Sequence, residues 1–335
     1  MRLKLTVIHL ILFLVSLVLF GCSDQQDSQN DKLAPLPVQI GMTGSIFSFP
    51  LAIADEQYFF EAEGLDAKVT VYGSGKKALQ GLLSGEVEYS TTADAPIAAT
   101  ALQRQDFEVL ATFIRSYRHG KILARKDRGI NSISDLVGKT IGLSKSTTGD
   151  YFLHRVMHEN NIGPDQVNIK DIPIKQLQAA VISGEVDAIS SWEPYISYAE
   201  QELGDNSFVI SNNNLLRNTF NLITMKETSS GDKTEKSLRV LKAINRAIEF
   251  ARQEPAQAQE IIARRTKMDP QILAKIWPEY EIGLLLDHAL LLTIEAQARW
   301  SLQQSGKTVD IPNYLEVINP APLRMLQPKL VDPSY

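Results

Sequence analysis

Two acidic residues that follow strand-like runs are the first candidates for chemistry. Glu193 comes directly after Trp192, in a run that reads Trp-Glu-Pro-Tyr, and Asp94 follows a run of small and hydroxylated residues. A carboxylate beside an aromatic face suits a cation, and the ring can stack on a flat ligand. The pair indicates a site for an amine-bearing or aromatic ligand. A buried Trp beside a surface ion pair is the competing interpretation.

Three loops of small residues are the second set of candidates, because each precedes a helix-like segment. They are Thr43-Gly44-Ser45, Gly73-Ser74-Gly75 and Ser144-Lys145-Ser146-Thr147-Thr148. Unpaired N–H groups and the helix dipole make a helix N-terminus attractive to anions, and hydroxyl groups add donors. Ser and Thr are also the usual helix N-caps, so capping alone explains any one loop. Three such loops on one cleft predict at least one contact with an anionic ligand.

Signatures of catalysis, metal binding and nucleic-acid binding do not accompany these residues. The loop at Gly73 does not extend to a GxGxxG or P-loop pattern, and no G-x-S-x-G elbow occurs. His154 and His158 share a helix face but lack the Glu of a zinc protease motif, which favours a solvated face. The net charge of −5 argues against nucleic acid as a partner. We therefore expect a binding protein, not an enzyme, without cofactor or metal.

An internal repeat predicts the elements that position these residues. Ser-Gly-Glu-Val-Glu at 84–88 recurs as Ser-Gly-Glu-Val-Asp at 183–187. Each copy follows a helical stretch and precedes a strand-like run that ends at one of the two acids. Each half then reads β–α–β–α–β. The predicted strands lie near 38–42, 67–72 and 87–91, and near 139–143, 167–172 and 186–190.

Alternating strands and helices favour mainly parallel sheets that are covered on both faces. Ligands bind such sheets at the carboxyl ends of the strands, where the three loops and both acids fall. The chain is expected to cross between halves near Tyr117 and near Lys226. The predicted domains are lobe 1 at 36–117 and 227–335 and lobe 2 at 118–226, with C-terminal helices near 238–251, 256–266, 270–277 and 286–303.

The first 21 residues have the pattern of an export signal. Arg2 and Lys4 precede an apolar run at 5–20, which is shorter than the roughly 20 residues of a membrane span. The run ends in Leu-Phe-Gly-Cys, which resembles the lipobox of bacterial lipoproteins and implies acylation of Cys22, the single cysteine. Residues 22–35 predict a disordered polar tether. A secretory peptide with an incidental cysteine is the alternative.

Five stretches resemble the periplasmic substrate-binding proteins of the nitrate/sulfonate/taurine family, which is related to the thiamine-pyrimidine binders. They lie at 57–65, 83–87, 135–142, 183–194 and 286–314, and the resemblance covers roughly residues 36–320. It implies an α/β fold, the type II periplasmic binding protein, with two lobes, a double-crossing hinge and an interlobe cleft. It also implies a monomer that delivers a small-molecule ligand to an ABC permease and its ATPase. Acylation of Cys22 would anchor the chain to a membrane by lipid alone. The expected location is then the periplasm or the outer face of the cell membrane, with the inner leaflet of an outer membrane as the alternative.

The resemblance also implies which residues line the cleft. By position these are Thr43, Gly44, Ser45, Gly73, Ser74, Asp94, Ser146, Thr147, Thr148, Trp192 and Glu193. The acid after Trp is often Asp in the sulfonate branch, whereas this chain has Glu, as several pyrimidine-type relatives do. The leading ligand is a small organic anion or zwitterion such as taurine or an aliphatic sulfonate. The loops would hold its oxyanion, and Glu193 or Asp94 would hold any amine.

Three other functions remain open at this point. The ligand could be a pyrimidine or thiamine precursor that stacks on Trp192, or a nitrate-like anion. The chain could also be a sensory lipoprotein that binds ligand and signals to a membrane partner. An enzyme that resembles the eukaryotic thiamine-pyrimidine synthase is a further alternative, because that synthase shares the fold. It is disfavoured, because the synthase resembles a cysteine-rich iron-dependent protein whereas this chain has only Cys22.

Overall fold

The structure, a computed structural model, describes residues 34–211, 216–226, 232–306 and 309–335. The predicted export signal, Cys22 and most of the predicted tether lie outside the described residues. Residues Leu36–Tyr335 form one unit with two β-sheets. In the described part of the chain, no helix has both the length and the hydropathy that a membrane span requires.

The first sheet has six strands and is mostly built from the N-terminal third of the chain. Its strands are β1 (Leu36–Thr43), β2 (Leu65–Tyr72), β3 (Tyr89–Ala93), β4 (Phe107–Ser116), β10 (Asn218–Met225) and β11 (Glu281–Leu285). Their order across the sheet is β11-β4-β10-β3-β1-β2. β1 pairs in parallel with β2 and β3, whereas β10 is antiparallel to β3 and β4. The carboxyl ends of β1, β2 and β3 therefore share one edge.

The second sheet has five strands from the middle of the chain. They are β5 (Gly120–Arg125), β6 (Thr140–Leu143), β7 (Asn168–Asp171), β8 (Ala188–Trp192) and β9 (Ser207–Ser211). The order is β7-β6-β8-β5-β9, with β6 parallel to β7 and β8 and with β5 antiparallel to β8 and β9. All six strands predicted from the repeat are present. β9 and β11 were not predicted, and the lobe boundaries stay a prediction.

Twelve α-helices cover the sheets in the described part of the chain. They are α1 (Phe49–Glu56), α2 (Phe59–Ala62), α3 (Gly75–Leu83), α4 (Asp94–Ala101), α5 (Thr148–Glu159), α6 (Ile174–Ser183), α7 (Tyr195–Leu203), α8 (Asp232–Gln253), α9 (Pro255–Thr266), α10 (Pro270–Ile276), α11 (His288–Ser305) and α12 (Ala321–Leu326). Pro50 occupies the first turn of α1, where its missing N–H has no intrahelical partner to lose. Gly64 follows α2 at φ +72°, as the predicted left-handed cap requires. The N-terminal turns of α3, α4 and α5 lie close after the ends of β2, β3 and β6 along the chain.

Candidate functional site

A cavity of about 380 Å³ lies between the two sheets. The loops after β1 and β2 form one side of the cavity, and the N-terminal turn of α5 with the end of β8 forms the other. The two sides approach each other closely at the mouth. Lys76 Nζ lies 3.5 Å from the backbone oxygen of Lys145, and a Cβ added at Gly73 would lie 3.5 Å from Cε of Lys175.

Eight of the eleven residues predicted to bind ligand line this cavity. They are Thr43, Gly44, Ser45, Gly73, Ser74, Thr147, Thr148 and Trp192. The loops converge because each follows a strand whose carboxyl end faces the same gap between the sheets. The structure thus brings the predicted loops together in one site, and their contact with a ligand stays a prediction.

Hydrogen bonds among hydroxyl groups hold the first loop in place. Thr43 Oγ1 lies 2.8 Å from Ser45 Oγ and 3.0 Å from Ser48 Oγ. Ser48 Oγ in turn lies 2.7 Å from Thr91 Oγ1 on β3. The chain of hydroxyls ties the loop to the sheet. Thr43 uses its one hydroxyl proton within this chain, whereas Ser45 at its end can present a donor to the cavity without having to be ordered by the ligand.

A close backbone contact holds the turn at Thr147 and Thr148. The Ser190 side chain on β8 donates a 2.7 Å hydrogen bond to the Gly149 carbonyl oxygen. A Cβ added at Gly149 would lie only 2.6 Å from the Ser190 carbonyl oxygen, so this position requires glycine. The N-terminal turn of α5 is therefore pressed against β8, and Thr147 and Thr148 are fixed beside Trp192.

Three predicted ligand residues do not line the cavity. Ser146 is exposed outside it at φ +59°, and its N–H donates a 2.8 Å hydrogen bond to Asp150 Oδ2. Its conformation turns the chain into α5, which is a structural role. Asp94 and Glu193, the two acids expected to hold an amine, are both buried behind the cavity wall.

Asp94 connects β3 to β10. Its carboxylate accepts hydrogen bonds from the N–H groups of Ala95, at 2.8 Å, and Thr219, at 3.0 Å. A further hydrogen bond comes from the side chain of Gln297. Burial raises the pKa of Asp94 to about 6, although these hydrogen bonds and the charge of Arg217 lower it. Asp94 is thus buried outside the cavity lining and is hydrogen-bonded within the protein, so its contact with a ligand stays a prediction.

Glu193 belongs to a buried ion triad. Lys121 Nζ lies 2.6 Å from Glu193 Oε1 and 2.8 Å from Glu279 Oε2. The second oxygen of Glu193 accepts the Ser197 N–H at 3.0 Å, at the start of α7. Glu279 lies between α10 and β11, on the side of the first sheet, whereas Lys121 is on β5 of the second. The triad therefore joins the two sheets behind Trp192, and each oxygen of Glu193 already has a partner within the protein. Contact between Glu193 and a ligand stays a prediction.

Aromatic rings that the sequence did not single out form the inner end of the cavity. Phe47 and Phe220 are stacked, with ring centroids 4.3 Å apart and planes 8° apart. The His119 ring stands edge-on to both, with centroid distances of 4.2 and 5.0 Å, and its centroid lies 6.0 Å from that of Trp192. His119 is only 1% exposed. Burial, and then the charge of Lys121, lower the pKa of His119 well below its usual value, so the imidazole is neutral.

The charged residues around the cavity are all basic. Lys76, Lys175, Arg265 and Lys267 contribute to its lining, and no Asp or Glu does so within the described ranges. Arg265 is paired with Asp55, while Lys76 and Lys175 approach the mouth from opposite sheets. The arrangement is suited to an anionic group near the mouth. In the described part of the chain, no cluster of three His, Cys, Asp or Glu residues could hold a metal ion.

The sequence is similar to one protein family and to curated proteins that are named as binding proteins. A family model described as NMT1/THI5 like matches residues 47–258. The chain is 25% identical over 272 residues to the putative aliphatic sulfonates-binding protein of Bacillus subtilis (strain 168), covering 80% of each. It is 25% identical over 154 residues to the taurine-binding periplasmic protein of Escherichia coli (strain K12), covering 46% of this chain and 48% of that protein.

The fold is also found among solved structures. The periplasmic aliphatic sulphonate binding protein SsuA from Escherichia coli superposes with a TM-score of 0.71 at 18% identity, covering 83% of this chain and 96% of that one. This likeness confirms the predicted α/β fold of a periplasmic binding protein. The relatives are named as binding proteins, which confirms the prediction that the chain is not an enzyme.

Proposed function

Because this chain belongs to the NMT1/THI5-like family, we propose that it is the solute-binding component of an ABC importer for small organic anions, with sulfonates as the leading class. The observation that carries the proposal is the lining of the cavity, which combines hydroxyl-bearing loops and basic side chains with no carboxylate among the described residues. The names of the sulfonate-binding and taurine-binding relatives support the same ligand class.

In this proposal the ligand is held from both sheets. Ser45 and Ser74 offer hydroxyl donors from one side, and Thr148 offers its hydroxyl from the other. The Thr147 hydroxyl donates to the Ser144 carbonyl oxygen at 2.6 Å, so Thr147 contributes its backbone N–H. Thr43 lines the cavity and positions Ser45. Binding closes the two lobes by a hinge motion where the chain crosses between sheets. A micromolar Kd would correspond to about −8 kcal/mol.

The proposal includes the route of delivery. Cys22 would carry lipid and hold the chain at the outer face of a membrane, in the periplasm where a second membrane exists. The bound ligand would pass to a permease driven by a cytoplasmic ATPase, and the monomeric chain would act alone.

A second candidate is a flat heterocycle such as a pyrimidine. The specific observation in its favour is the aromatic inner end of the cavity, where Phe47, Phe220 and Trp192 surround the neutral His119. A neutral heterocycle would leave the basic side chains at the mouth without a partner, which is why the organic anion ranks first.

A thermal-shift screen of the exported chain tests the proposal. The panel contains propane-1-sulfonate, nitrate and hydroxymethylpyrimidine. A ligand at 100 times its Kd stabilises the folded state by about 2.7 kcal/mol and raises Tm. A rise with propane-1-sulfonate supports the proposal, whereas a rise with the pyrimidine alone refutes it in favour of the second candidate.

A further inference from the structure

We propose that the cavity selects sulfonates with an uncharged, ring-sized apolar body and discriminates against aminosulfonates such as taurine. This inference rests on the proposed function and deepens it, because it names the ligand body. Three independent features carry it: the positions of the acids, the character of the inner wall and the size of the cavity.

The first feature is that neither acid near the cavity is available to an ammonium group. Glu193 is occupied by Lys121 and by the Ser197 N–H, and Asp94 by Ala95, Thr219 and Gln297. A ligand ammonium that entered the cavity would lose its hydration without gaining an ion pair. The basic side chains of the lining would also repel it.

The second feature is the wall at the inner end. The stacked pair Phe47 and Phe220, the edge of His119 and the ring of Trp192 form an apolar surface. Aromatic rings pack well in edge-to-face and offset geometries, so such a wall favours a flat apolar body. His119 adds no charge, because burial keeps it neutral.

The third feature is size. The cavity of about 380 Å³ falls within the range of roughly 300–1,000 Å³ that is typical of pockets for drug-sized ligands. A two-carbon aminosulfonate would leave much of this space unfilled. A ring attached to the sulfonate places apolar surface against Phe47 and Phe220 while its anionic group stays near the hydroxyl loops.

Isothermal titration of the full exported chain with three probes tests the inference. Propane-1-sulfonate and taurine have nearly the same shape, with a methyl group in one where the other has ammonium. Benzenesulfonate has the same anionic group on a ring. We expect propane-1-sulfonate to bind at least about tenfold more tightly than taurine, and benzenesulfonate to bind more tightly again by about tenfold.

Two Trp variants locate the effect. Trp192→Leu is expected to reduce the preference for benzenesulfonate over propane-1-sulfonate by at least about fivefold. Trp300→Leu is the matched control, because Trp300 packs on Tyr151 and His154 and does not line the cavity. It should leave the ratio of the two affinities unchanged. Retained binding of propane-1-sulfonate shows that each variant is folded.

The possible results separate the two proposals. Taurine binding as tightly as propane-1-sulfonate overturns the inference and leaves the proposed function intact. The inference is also overturned, with the proposed function intact, if benzenesulfonate binds no more tightly than propane-1-sulfonate. The same holds if Trp300→Leu reduces the ratio of these two affinities as much as Trp192→Leu does. Failure of all three sulfonates to bind refutes both.

Discussion

Replacing Lys121 with Met should destabilise the protein far more than loss of an ordinary surface ion pair. The Lys121, Glu193 and Glu279 side chains are 7%, 2% and 18% exposed, and three contacts of 2.6 to 3.0 Å join the ammonium to the two carboxylates. Methionine preserves the volume but leaves two buried carboxylates facing each other. Removing one partner of a buried ion pair destabilises by about 3–5 kcal/mol.

The expected loss corresponds to a fall in Tm of about 5–8 °C, measured by differential scanning calorimetry on the ligand-free chain. Lys170→Met is the matched control, since Lys170 and Glu185 are paired at 2.7 Å but both about half exposed. That pair should contribute no more than about 1 kcal/mol. A loss in Lys121→Met no larger than in Lys170→Met would refute the assignment of a buried triad.

The free energy of unfolding of Lys121→Met should also depend on pH in a direction that identifies a buried carboxylate. Burial raises the pKa of Glu279 above its usual value, and Lys121 counteracts that rise. Without Lys121 the pKa rises further, so the folded state binds a proton more tightly than the unfolded state does. The free energy of unfolding of Lys121→Met should therefore increase as the pH falls from 7 towards 5. A flat or opposite dependence, relative to the wild type, would contradict the reasoning.

Three further predictions follow from the site. Gly149→Ala should weaken binding of propane-1-sulfonate at least about tenfold, because a Cβ 2.6 Å from the Ser190 carbonyl oxygen displaces the turn at Thr147; unchanged titration calorimetry would contradict this. The Asp94 carboxyl should titrate near pH 6 by NMR and add about 3 kcal/mol to stability as the pH falls from 6 to below 3.8; titration near 3.8 would show that it is not buried as described. Glu193→Gln should lower the affinities for taurine and propane-1-sulfonate by the same factor, and a selective loss for taurine would place Glu193 in contact with the ligand amine.

The sequence predicts those parts of the fold and site that depend on local pattern. The repeated Ser-Gly-Glu-Val peptide identifies two equivalent β–α–β–α–β units, and the structure has the six strands that it implies. Thr43, Ser74 and Thr147 could be anticipated because each follows a strand end and precedes a helix, so the sheet topology alone brings them to one edge.

The roles of the acids depend on residues that are distant in the chain. Glu193 is neutralised by Lys121, 72 positions away, and Asp94 accepts from Thr219, 125 positions away. No local pattern reveals such partners, so the sequence could not show that both acids are buried outside the cavity lining. The aromatic wall was missed for the same reason, since Phe47, His119 and Phe220 come from three separate segments and each resembles an ordinary core residue.

Titration of the chain with propane-1-sulfonate by isothermal calorimetry tests the proposed ligand class most directly. We expect saturable binding with one site per chain and a Kd of about micromolar, weakened by added salt because basic side chains line the cavity. A folded chain that shows no saturable binding of any sulfonate, yet binds a neutral pyrimidine at one site, would contradict it.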